Sequence, residues 1–257
     1  MIDLIAIVTR TWLGMHAPAG AQIVTAPLVA APAAGVAATA AAQPSAAEVV
    51  DNIQKFYANI KHVTAQFRQT VTNATFGSTK TSDGKVYLAK PGKMRWDYLE
   101  KKGSTTVFKK SFISNGTTLY DVEHDNKQVI KKDLKQDLMP VAVTFLYGSG
   151  DLKREFNAEP DGSGQYGTKG DLVIKLTPKT PSAQYKNLIL VVSPTDYHVK
   201  ESIIIDSSNN TNHFMFYAPD FDKPIEDSWF EFDPRSVRDY RVIDADQPQG
   251  SGSATKP

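Results

Sequence analysis

The sequence predicts a mainly β domain with a few helices, its strands strung as an antiparallel meander that rolls into a barrel or a sandwich. Three observations predict it. Strand-length runs with period-two alternation recur from His62 onward. Turn signals separate them at Pro91-Gly92, Asn115-Gly116, Asp161-Gly162, Pro194-Thr195-Asp196 and Ser207-Ser208-Asn209-Asn210. One amphipathic helical pattern, opened by a capping signal, stands ahead of the first run.

Residues 1–42 differ from the rest. They hold two charges, Asp3 and Arg10, and end in "APLVAAPAAGVAATAAA" before Gln43. Ala40 and Ala42 fit the A-x-A pattern of signal-peptidase cleavage, which predicts an export signal over 1–42 cut near Ala42–Gln43. A plain Ala/Pro linker is the other reading, and Pro27 and Pro32 speak for it. The folded domain is then expected over 43–245, with a polar, Gly/Ser/Pro-rich, disordered tail over 246–257.

Ser45-Ala46-Ala47-Glu48 reads as a capping box, and Val49, Ile53, Phe56 and Ile60 follow at helical spacing, so a helix is expected over 46–59. The period changes to two at "HVTAQFRQTV", with Val63, Ala65, Phe67 and Val71 on one side. Further strands are expected at 85–90, 93–100, 106–114, 117–122, 128–133, 171–179, 186–193, 198–206, 211–217 and 228–233. "LMPVAVTFLYG" breaks this rhythm. Pro140 suits a first helical turn, and Val141, Phe145 and Leu146 fall on one side before Gly148. An apolar helix over 138–146 must bury that side, and the concave face of a curved sheet offers a place.

Composition excludes several classes. The 257 residues carry 29 Lys+Arg against 28 Asp+Glu, a net charge of +1 that makes no case for nucleic acid or an anionic membrane surface. Cysteine is absent, which removes disulfides, thiol nucleophiles, cysteine zinc sites and a lipidated N-terminal Cys. "GSGQYGTKG" has its Lys in the wrong order for a phosphate loop and leads into a strand, so it reads as a hairpin loop. "DVEHDN" lacks the Gly and the final Glu of a calcium loop. The five histidines show no H-x-x-x-H spacing, and no G-x-S-x-G elbow exists. No metal, cofactor or catalytic residue is expected.

What remains is the apolar side of the 85–98 region. Val86, Leu88 and Lys90 share one side, as do Met94, Trp96 and Tyr98, with Arg95 and Asp97 opposite. These residues fit either a barrel core or the wall of a cavity. Lys90 favours a cavity mouth, because a cation on an apolar side needs a partner or an opening.

Several segments in order resemble the periplasmic outer-membrane lipoprotein carriers, the LolA family. "GKVYLAKPGKMRWDY" is similar to that family's Gly, apolar strand, Arg-Pro-Gly, Lys, apolar, Arg-Trp-Asp-Tyr pattern. "FRQT" resembles its Phe-x-Gln element, "SFISNGTTLYDVEHDNKQV" its Ser-Asp-Gly and Tyr-Asp stretch, and "LMPVAVTFLYGSGDLKREF" its Pro-x-x-x-Leu-x-Gly segment. "LVIKLTPK" and "SWFEFDP" resemble its later strands, and the whole run extends from about Ala46 to Ile243. The resemblance implies an open, strongly curved antiparallel half-barrel whose concave apolar face is covered by the N-terminal helix and a lid helix. It implies an acyl cavity walled by Phe67, Val86, Leu88, Met94, Trp96, Tyr98, Leu138, Val141, Phe145 and Leu146. The family typically carries Arg at the position of Lys90, where it latches the lid. This chain has Lys, a point donor without the planar fork, with Arg95 next in line for the role.

The resemblance further implies a monomeric periplasmic carrier that is not an enzyme. Its partners would be lipoproteins, an inner-membrane lipoprotein-releasing ABC transporter and an outer-membrane acceptor. Two alternatives stand beside it. A lipid or lipoprotein sensor on the same half-barrel would want an extra domain, for which the chain after Ile243 is short. An exported hydrolase would want a polar cleft with facing carboxylates.

Overall fold

Ser45 turns the chain into its first helix. The Ser45 side chain accepts from the Glu48 amide at 3.3 Å, and Glu48 Oε2 accepts from the Ser45 amide at 2.8 Å. Two amides of the first turn are thereby satisfied at once. Helix α1 runs Ala46–Asn59 and buries Val49, Val50, Ile53 and Tyr57, one stripe at helical spacing. The computed structural model describes residues 43–134, 150–182 and 185–246. The expected lid, with Leu138, Val141, Phe145 and Leu146, lies outside the described residues, as do the export segment and the tail from 247 on.

Strands follow in chain order: β1 His62–Asn73, β2 Ser78–Ala89, β3 Lys93–Lys102, β4 Thr105–Asn115, β5 Thr118–Glu123 and β6 Gln128–Asp133. A short helix α2, Leu152–Glu155, leads into β7 Phe156–Pro160. Then come β8 Leu172–Pro178, β9 Asn187–Val192, β10 Val199–Ile205, β11 Thr211–Asp220 and β12 Arg241–Asp244. They form one sheet in the order β12-β6-β5-β4-β3-β2-β1-β11-β10-β9-β8-β7. Two sequential meanders thus meet where β1 pairs antiparallel with β11. The margins, β7 and β12, do not pair with each other. The sheet is therefore open and curved, a half-barrel, neither a closed barrel nor a sandwich of two sheets.

Alternation divides the residues between two faces. The inner face packs on α1 in the main core, which draws on both meanders. The outer face carries two smaller clusters. Ile113, Val122 and Val129 pack under Phe232, Val237 and Tyr240 of the C-terminal segment. Ile189, Val191 and Ile203 pack with Tyr166 of the β7–β8 loop.

Three sequence expectations need correction. Residues 228–233 form no strand; a 3-10 turn, Asp227–Phe230, stands there. The Phe230/Phe232 alternation imitates a strand, but Phe232 stacks on Tyr120 at 4.8 Å, and the segment lies on the sheet instead of in it. Strand β7 was not expected, because "FNAEP" alternates poorly and ends in Pro; a margin strand tolerates both. Strand β12 pairs parallel with β6, a long-range match that local pattern does not announce.

Candidate functional site

Cross-strand pairing brings the predicted wall together. Directly paired residues share a face, so register assembles rows. Val63, Leu88 and Met94 form one; Ala65, Val86, Trp96 and Phe112 a second; Phe67, Gly84 and Tyr98 a third. Phe67, Val86, Leu88, Met94 and Trp96 are each at most 5% exposed, and Tyr98 packs against them, all in the cluster that includes α1. Arg95 and Asp97 lie opposite, as parity requires: Arg95 Nε donates to Asp97 Oδ2 at 2.8 Å, and Ser111 Oγ donates to Asp97 Oδ1 at 2.7 Å. Arg95 also lies 5.5 Å from the Trp229 ring on the outer face. It is engaged there and not beside Lys90.

Phe67 is the centre of an aromatic group. Its ring lies 5.2 Å from Trp96, 5.0 Å from Tyr98 and 5.9 Å from Phe214. Gly84 makes the space: a Cβ there would fall 2.5 Å from the Phe67 ring. Phe214 and Phe216 of β11, with rings stacked at 6.3 Å, complete the patch from the other meander. The sequence pattern had placed neither in the wall. Their shared parity was readable, but only the β1–β11 register shows that they meet Phe67. Gln69 Nε2 donates to Asn212 Oδ1 at 2.8 Å beside the patch, a buried polar tie across the same junction. Burial pushes the Tyr98 phenol well above its ordinary range.

Lys90 reaches the C-terminal end of α1. Its Nζ donates to the Tyr57 carbonyl and, at 3.3 Å, to the Ala58 carbonyl. Tyr57 is held in turn, its hydroxyl accepting from the Val199 amide at 3.0 Å. Partial burial lowers the Lys90 pKa from its ordinary value.

Asp121 is the one buried carboxylate on the inner face among the described residues, and it pairs with Lys110 at 3.0 Å. A depression of about 440 Å³ is lined by Gln66, Arg68, Asp83, Lys85 and Tyr217 among others, and shares only Phe67 with the predicted wall. No helix among the described residues is long and apolar enough to cross a membrane.

Known proteins match this arrangement by sequence. A relative from Chromobacterium violaceum, an outer-membrane lipoprotein carrier protein, is 29% identical over 210 residues, covering 79% of this chain and 91% of its own. One of the same name from Cupriavidus pinatubonensis is 26% identical over 203 residues, covering 77% and 90%. Among solved structures, a LolA superfamily protein from Nitrosomonas europaea overlaps with a TM-score of 0.40 at 9% identity, over 74% of this chain and 99% of that one. The family described as outer membrane lipoprotein carrier protein LolA matches residues 58–233, from the end of α1 through β11 to the C-terminal segment, and on that match the chain belongs to the LolA family.

Proposed function

We propose that this protein is a periplasmic carrier that takes the acyl chains of lipoproteins onto the inner face of its sheet and conveys them from an inner-membrane ABC transporter to an outer-membrane acceptor. One observation supports the reading above others. The rows from Val63 to Phe112 make a continuous apolar and aromatic surface, and Arg95 and Asp97 of β3 turn away from it. An acyl chain gains about 0.8 kcal/mol per CH₂ on leaving water. That surface and the buried stripe of α1 belong to one packed core. Loading must break self-contacts, which offsets part of the gain and keeps the cargo releasable. Lys90 would act as a latch between the end of β2 and α1. Residues 138–146, with Leu138, Val141, Phe145 and Leu146, would add a second apolar cover.

Photo-crosslinkers test this. Placed at Met94, Trp96 or Phe145 they should capture bound lipoprotein, and at Arg95 or Asp97 they should not. Equal capture at both sets would remove the inner face as the acyl site. Export is part of the proposal, with cleavage near Ala42–Gln43. The mass of the periplasmic form checks it, and a cytoplasmic protein that keeps Met1 would refute it.

A further inference from the structure

The inner face is not apolar throughout. Register carries the row of Val86, Trp96 and Phe112 one strand further to Asp121 and then to Ile130. Asp121 is 3% exposed. Its Oδ2 meets Lys110 Nζ at 3.0 Å, and that ammonium lies 4.4 Å from the centre of the Phe112 ring. Oδ1 is fully buried and accepts no hydrogen bond from any described protein group. A carboxylate oxygen shut off from water with its lone pairs unserved is costly, and such a group calls for a partner that the resting fold does not supply.

The surroundings indicate what kind of partner. Glu123, two residues along β5, already has donors of its own, Asn126 Nδ2 at 2.8 Å and Gln128 Nε2 at 3.2 Å. It shares Lys110, at 3.7 Å. Lys132 adds a second positive charge acting on Asp121. The ion pair with Lys110 already gives Asp121 a cation, and burying another full charge beside the apolar surface would be costly. Oδ1 lacks a neutral donor. Apolar surface begins at once beside it, at Phe112 and then Trp96.

We propose that Asp121 Oδ1 binds a neutral hydrogen-bond donor, an amide N–H or a hydroxyl, at the head of an acyl chain whose tail lies along Phe112 and Trp96. The inference rests on the acyl-carrier reading, because the inner face must part from its cover before any such group reaches Asp121. It adds to that reading a polar anchor, which fixes where along the face the head of the cargo stops.

Competition against a fluorescent acyl probe tests it on the wild-type protein. The competitors are N-ethyl decanamide, ethyl decanoate, N-ethyl-N-methyl decanamide and 2-hydroxyethyl decanoate. The first and last carry a neutral donor; the middle two do not. At least one donor-bearing competitor should bind about tenfold tighter than the ester, as expected for a hydrogen bond to a charged acceptor. Which of them gains identifies the donor. In Asp121→Asn the side-chain amide turns its own N–H into the open position, and the ratio of donor-bearing to donor-free affinity should fall to near one. Equal binding of all four to the wild type overturns the anchor and leaves the carrier reading standing. Failure of all four to displace the probe removes both. Should Asp121→Asn fail to fold, the comparison of amide with N-methyl amide in the wild type still decides.

Discussion

Lys90 supplies α1 with something the helix lacks. Its last turn has no basic residue, and the Lys90 ammonium donates to the carbonyls of Tyr57 and Ala58, where the negative end of the helix dipole lies. Half-exposed, the contact belongs at the lower end for a charged hydrogen bond, about 1.5 kcal/mol. Lys90→Leu should shift the balance away from the closed arrangement by about tenfold. Lipoprotein-loaded carrier should then accumulate, and transfer to an outer-membrane acceptor in vitro should slow, while Lys90→Arg transfers at least as well as the parent. Normal transfer by Lys90→Leu would make Lys90 an ordinary turn residue. Gly84 is the second residue whose identity is fixed by its neighbours. Gly84→Ala drives a methyl into the Asp97 carbonyl oxygen and the Phe67 ring and should lower stability by about 1–3 kcal/mol in denaturant titration. An unchanged midpoint would mean that both the Phe67 ring and the Asp97 backbone carbonyl give way.

At the scale of elements, α1 makes a prediction through its cap. The Ser45 hydroxyl and amide hold the Glu48 carboxyl below its ordinary value of 4.5. A lowered folded-state pKa contributes stability that is present above the unfolded value and is lost as pH falls through the folded one. Ser45→Ala should cost about 1 kcal/mol at neutral pH through the lost cap, and less once the pH has fallen through the lowered folded-state pKa of Glu48. A cost independent of pH would show that Glu48 takes no part. The same cap shows why some elements were readable. The bounds of α1 and of β6 follow from local signals, the Ser45/Glu48 spacing and the "QVIKKD" run between turns. The first half of β2 did not, because its Thr and Ser residues are largely exposed and resemble a loop. In the candidate site, the Val86/Trp96 parity was legible within one hairpin. Phe214, Phe216 and Asp121 required registers across strands that no short pattern contains.

On the scale of the whole molecule, the faces divide the labour. The inner face holds the main core and α1, and the outer face fastens the C-terminal segment through Trp229 on Tyr87, with ring centres 5.0 Å apart, and Phe232 on Tyr120. Strand β12 then closes that segment onto β6. With this arrangement an inner face can open without loosening the outer one, which is what the proposed carrier cycle requires.

The junction of β1 with β11 also sets a timetable. Every other ladder except β6–β12 joins strands that follow one another in sequence, whereas Gln69 and Asn212 meet across 143 residues. Each meander can zip as it is made. The seam has to wait for the last long strand, and closing so large a loop is slow. Until then β1 presents an unpaired edge lined on one face by Phe67 and Ala65, a template to which another nascent chain could add. The hazard for this protein therefore lies less in its finished state than in the interval before β11 arrives.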